Sequence, residues 1–120
     1  MSEIAENLKE RSLRFALRVM KFCRTLPEDW EGRFIADQLF RAGSRTAANY
    51  RAACRAKSRR DFINKLGSVV EESDESVFWS LIGRSGMSET SEQKYLLSEG
   101  GELLAIFTQS SKTASSNNRR

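Results

Sequence analysis

The residues with the most evident chemical potential lie near the middle of this 120-residue chain, where Glu71, Glu72, Asp74 and Glu75 crowd little more than one helical turn. Glu71, Glu72 and Glu75 invite the idea of a pair of metal ions. The chain contains no histidine, however, so the Glu-x-x-His ligands of di-iron helical bundles and the commonest general base are both missing. There is no glycine-rich phosphate loop, no Gly-x-Ser-x-Gly elbow, and no cysteine with a histidine to activate it. Cys23 and Cys54 lack Cys-x-x-Cys spacing and fall within predicted helices, where they read as reduced, small apolar residues. The residue types therefore predict no enzyme, no cofactor and no metal site.

A second pattern is basic. Between Arg41 and Lys65 there are eight basic residues, Arg41, Arg45, Arg51, Arg55, Lys57, Arg59, Arg60 and Lys65, against the lone Asp61. Residues 66–107 reverse the balance, with eight acidic against two basic. Arg41, Arg45, Arg55 and Arg59 fall nearly on one line of a predicted helix and its exit, separated by Ala48 and Ala52. Such a row suits phosphates spaced along a nucleic-acid backbone, and the alanines would let that backbone come close. The same charges could instead pair with Glu71, Glu72, Asp74 and Glu75 as structural ion pairs, because charges near a core are costly unless partnered, or they could simply face water. Nothing in the pattern supplies base specificity.

These side chains need helices to position them. A single proline, 9% aromatic residues and a globular balance of apolar and charged residues argue against disorder and against strands. Ile4, Leu8, Phe15, Val19, Phe22 and Leu26 fall on one arc of a helix over about 3–25. Pro27, Glu28 and Asp29 mark a break and an acidic start to a helix over about 29–56, with core residues Ile35, Leu39, Ala42, Thr46, Tyr50 and Ala53. Ser58 with Asp61 forms a capping-box variant that opens a helix over about 59–84, whose inward stripe is Phe62, Leu66, Val69, Val70, Ser73, Val77 and Leu81, with Gly83 and Gly86 expected at its end. A weaker helix starts near Ser88 or Thr90, with Gln93 completing a capping box from Thr90. It buries Leu96, Leu103, Leu104 and Phe107, and Gly100-Gly101 interrupts it or marks a close helix crossing. Residues 1–110 thus form one domain, followed by a disordered tail over 111–120. Short connections predict an all-α, antiparallel up-down-up-down four-helix bundle.

Several apolar residues fall on the wrong faces for an isolated bundle. Leu13, Leu17 and Met20 in the first helix, and Phe78, Trp79 and Ile82 in the third, lie away from the core arcs. They read as oligomer contacts, with Phe78 and Trp79 as aromatic anchors, against the alternative that a wide core absorbs them. No run approaches a membrane span or a signal peptide, which predicts a cytoplasmic protein with no membrane partner.

Residues 38–82 also resemble the four-helix-bundle family named for proteins encoded in 23S ribosomal RNA intervening sequences. Gln38, Leu39, Arg41, Ala42, Asn49, Phe62, Leu66, Glu71 and Glu75 occupy places in that family's pattern: a Gln-Leu-Arg-Arg-Ala type segment, small residues leading to a polar pair, then a phenylalanine-led helix with a glutamate-rich centre. Ala47 stands where many members carry a helix-kinking proline, and Tyr50 and Arg51 replace aliphatic or small residues. The resemblance implies a ring-shaped homopentamer, similar to the accessory proteins of diversity-generating retroelements, whose basic central surface is thought to bind nucleic acid. The implied partners are copies of the chain itself, RNA or DNA, and a protein such as a reverse transcriptase.

Overall fold

The computed structural model describes residues 2–84 and 90–118, which form four α-helices: α1 (Glu3–Cys23), α2 (Trp30–Ala53), α3 (Arg59–Arg84) and α4 (Ser91–Asn118). Each starts at a side chain that satisfies the otherwise unpaired amides of a first turn. Ser2 Oγ accepts from the Ala5 amide at 3.1 Å, and Asp29 Oδ1 accepts from Gly32 at 2.8 Å. Ser58 Oγ accepts from the Asp61 amide at 3.1 Å while Asp61 Oδ2 reaches back to the Lys57 amide at 3.1 Å. Thr90 and Gln93 make a fully reciprocal pair, each accepting from the other's amide at 3.2 Å. Both capping boxes are therefore as the sequence predicts; the Ser88 start and the Gly86 stop fall outside the described residues.

The core is one cluster drawn from all four helices. It contains Leu8, Phe15, Val19, Phe22 and Leu26 at and just beyond α1, Leu39 and Tyr50 on α2, Leu66 and Val69 on α3, and Leu96, Leu103 and Phe107 on α4. Buried Ala42, Thr46 and Ala53 complete the small-residue arc of α2. The Tyr50 and Phe107 rings meet at 5.0 Å, and burial raises the Tyr50 phenol, with Cys54 adding to the shift. Two glycines mark close approaches. A Cβ at Gly43 would lie 3.1 Å from the Val19 methyl groups, and one at Gly100 would lie 3.2 Å from the Phe15 ring. Gly100 is thus a packing contact within a continuous helix, and α4 is not interrupted at Gly100-Gly101.

Four expectations need correction. Ile4, assigned to the core arc, is 73% exposed, because the first turn of α1 lies at the open rim of the bundle beside Leu8, Tyr50 and Phe62. Leu81 is 48% exposed. Beyond the expected Ser73, the inward positions of this half of α3 are Ser76, Ser80 and Gly83, all buried. Serine can serve there because its hydroxyl turns onto its own helix: Ser76 donates to the Glu72 carbonyl at 2.9 Å and Ser80 to the Ser76 carbonyl at 2.7 Å. Third, α2 stops at Ala53 rather than near 56, so Arg55 and Lys57 sit in the 54–58 connection. Fourth, α4 runs on to Asn118, where a disordered tail is expected from 111. Small polar side chains sustain this extension by local bonds, Ser110 Oγ to the Ile106 carbonyl at 2.9 Å and Gln109 Nε2 to Thr113 Oγ1 at 3.3 Å.

Packing is uneven around the bundle. The α1–α2, α2–α3 and α3–α4 seams are extensive, and the α1–α4 seam is the slightest. Ion pairs bridge it. Arg11 donates to both Glu99 carboxylate oxygens at 3.1 and 2.6 Å, and Arg18 donates to both oxygens of Glu92 at 2.5 and 3.1 Å.

Candidate nucleic-acid interface

The α2–α3 corner gathers cations because the connection between the two helices is short. Arg55 and Lys57 lie in the connection and Arg59 and Arg60 open α3, and all four are exposed. Arg51, one turn back on α2, is exposed as well. The acid in this stretch, Asp61, is already engaged: it accepts from Lys65 Nζ at 2.6 Å and from the Lys57 amide. Those bonds, led by the Lys65 one, hold its carboxyl below the usual aspartate value. Lys65 is consequently drawn into a helix-internal pair and is only partly exposed.

The predicted line of arginines is divided among α2, the 54–58 connection and the start of α3. Arg41 and Arg45 lie exposed on α2, and Arg45 approaches Glu72 of α3 at 3.7 Å. α2 ends at Ala53, so Arg55 lies just beyond the helix that carries the other two. Of the acids expected in structural ion pairs, Glu72 alone meets a cation among the described residues, while Glu71, Asp74 and Glu75 stand exposed and unpaired there. Burial, reinforced by Glu75, raises the Glu72 carboxyl above its ordinary value, and Arg45 opposes this only in part. No group of three potential metal-ligating side chains gathers among the described residues. Cys23 is half-buried, bonds to the Ala36 carbonyl at 3.5 Å, and is pushed up to about 11 by burial.

The wrong-face apolar residues form two separate surfaces. Leu13 and Leu17, each about half exposed, join Met20, Phe40, Ala47 and Ala48 in lining a groove of about 320 Å³ between α1 and α2. On α3, Phe78 is half exposed and Ile82 partly so. Trp79 is more deeply placed than an exposed anchor: it packs against the core cluster and meets Phe34 and Phe78 in edge-to-face contacts with centroids 5.6 and 5.1 Å apart, so it buttresses both. Trp30, Phe34 and Phe40 are further exposed apolar residues that the sequence reading passed over, and Leu81 joins them. Trp30 and Phe34 recur one helical turn apart off the core arc, a signal that could have found them.

No helix among the described residues is long and apolar enough to cross a membrane. No family model and no curated protein matches the chain. A search of solved structures finds a protein of unknown function from the S23 ribosomal protein family of Bacteroides thetaiotaomicron, 29% identical, with a TM-score of 0.78 over 88% of this chain and 98% of that one. The family likeness read from Gln38 to Glu75 thus extends to the folded chain, a four-helix bundle similar over nearly its whole length to a member of the S23 ribosomal protein family.

Proposed function

We propose that the protein is a non-enzymatic, self-assembling four-helix bundle of the cytoplasm that binds RNA or DNA without base specificity through the α2–α3 corner. One observation carries the reading: Arg55, Lys57, Arg59 and Arg60 crowd the corner, and the nearby Asp61 is already neutralised by its own bonds. Arg59 and Arg60 also sit in the first turn of α3, where the helix dipole disfavours cations by about 0.3–1 kcal/mol each. Phosphates placed there would be held by the arginines and by the dipole together. An antiparallel up-down-up-down course belongs to this reading, supported by Arg11 lying opposite Glu99 and Arg18 opposite Glu92. So does a ring of copies, five by family resemblance.

The test is fluorescence anisotropy with a labelled single-stranded RNA. Replacing Arg55, Arg59 and Arg60 together by alanine is expected to lower affinity at least tenfold and to flatten the salt dependence by roughly two units of logarithmic slope. Unchanged binding would remove the proposal. A second reading, favoured by the exposed Leu13, Leu17 and Phe78, is a scaffold that contacts only proteins, its own copies and an enzyme such as a reverse transcriptase. A purified protein whose 260-to-280 absorbance ratio never rises above that of its own aromatic residues would favour this second reading.

A further inference from the structure

The two apolar surfaces match each other in length, polarity and charge. The groove is lined by Lys9, Leu13, Leu17 and Met20 of α1 and by Phe40, Ala47, Ala48 and Arg51 of α2. The Cys23–Ala36 bond and the Val19–Gly43 approach fix how α1 and α2 face one another. That register puts Lys9 across from Arg51 at one end of the groove and Met20 across from Phe40 at the other. Each wall covers eleven residues of rise, about 16 Å. One end carries Arg51 and Lys9, the latter shared with Glu6 of its own helix at 3.0 Å, and the other is apolar.

On α3, Glu71, Glu75, Phe78 and Ile82 follow one another at spacings of four, three and four, so they form a single strip along the helix. This strip also covers eleven residues of rise. Its first half is acidic, with Asp74 beside it, and its second half is apolar, stiffened by Trp79 under Phe78. Glu71 and Glu75 have no cation within the chain among the described residues. Groove and strip therefore present the same sequence of features with opposite charge and opposite shape.

We infer that the Glu71–Ile82 strip of one copy lies in the α1–α2 groove of a second copy, acids against Lys9 and Arg51, Phe78 and Ile82 against Leu17, Met20 and Phe40. This assignment rests on the proposed self-assembly and supplies its contact. A helix in an apolar groove is a recurrent mode of recognition, and charge pairs at one end fix its direction. Because the two surfaces differ, the contact is directional: a pair that makes it once keeps one free groove and one free strip, and the assembly ends by closing, either reciprocally as a two-fold pair or as a ring.

The experiment is light-scattering mass in the absence of nucleic acid, on the full chain carrying either Leu17→Glu in the groove or Phe78→Glu on the strip. Both positions are about half exposed, so circular dichroism should show an intact bundle. Wild type is expected to run as a multiple of the chain mass and each variant alone as a monomer. An equimolar mixture of the two variants should give a species of two chains, since the intact strip of one fits the intact groove of the other and nothing can extend the pair. A wild-type monomer would overturn both the contact and the proposed self-assembly. A multimeric wild type whose single variants keep their assembly, or whose mixture stays monomeric, would overturn the contact and leave self-assembly standing. Glu71→Lys with Glu75→Lys should weaken assembly at least tenfold, with recovery on adding Lys9→Glu and Arg51→Glu. A lack of recovery would overturn the charge pairing.

Discussion

Arg18 grips both carboxylate oxygens of Glu92 while its guanidinium lies 3.9 Å above the Tyr95 ring, so one side chain of α1 makes an ion pair and a cation–π contact with successive turns of α4. The bidentate geometry favours this pair over an ordinary surface one, although its exposure limits what it contributes. Arg18→Ala is expected to lower stability by about 1 kcal/mol, combining the modest value of a partly exposed pair with that of an exposed cation–π contact. Urea denaturation of the purified variant measures the loss.

The same pair sets an acid limb. The hydrogen bond from Arg18 holds the Glu92 carboxyl below its ordinary value, so folding is favoured by its ionised form. That contribution is complete above the unfolded glutamate pKa of about 4.3 and is lost as pH falls through the lower folded value. Glu72 acts with the opposite sign, because burial raises its carboxyl and acidification relieves the cost of its charge. Urea midpoints between pH 3 and pH 7 should therefore fall on acidification less steeply in Glu92→Gln, and more steeply in Glu72→Gln, than in the wild type.

Two glycines should respond oppositely to alanine. A Cβ at Gly101 meets nothing within 4 Å, so Gly101→Ala gains helix propensity and should stabilise by about 0.5–1 kcal/mol. A Cβ at Gly32 would fall 1.9 Å from the Pro27 carbonyl oxygen. Backbone must move to admit it, and Gly32→Ala should cost about 1–3 kcal/mol. Thermal melts distinguish the two, and a stabilised Gly32→Ala would contradict the packing of the α1–α2 turn.

Ser73 is buried, yet its hydroxyl finds no hydrogen-bond partner among the described residues. Its neighbours Ser76 and Ser80 turn their hydroxyls onto the helix backbone instead. Removing an unsatisfied hydroxyl without enlarging the side chain should help, so Ser73→Ala is expected to raise stability by about 1 kcal/mol. Ser76→Ala should change stability less. Melting temperatures of the two variants decide the point.

Helical periodicity made most of the fold legible, since Leu8, Phe15, Val19, Phe22, Leu39, Leu66 and Phe107 recur at the intervals a buried face requires. Thr90 with Gln93 and Ser58 with Asp61 announced two helix starts by local chemistry alone. The burial of Ser76 and Ser80 was hidden because hydropathy weighs the hydroxyl and ignores the backbone bond that satisfies it. Ile4 was misplaced for a different reason: periodicity assigns a face but not whether a neighbouring helix reaches far enough to cover it. The cations around Arg55 to Arg60 were plain in the sequence, whereas the diversion of Arg45 to Glu72 required knowing how α2 and α3 lie against each other. The groove could not be read at all, because its walls come from two helices and Ala47 and Ala48 matter there for what they leave empty.

Three of the four seams join helices that follow one another directly in the chain, and only the ionic seam brings the two ends together. Local seams close small loops and form early, whereas bringing α1 to α4 requires most of the chain to be ordered first. On that ground the Arg11 and Arg18 clasps are expected to form after the rate-limiting barrier. Severing them would hasten unfolding while leaving the refolding rate nearly untouched, so these arginines govern how long a folded molecule lasts rather than how quickly it is made.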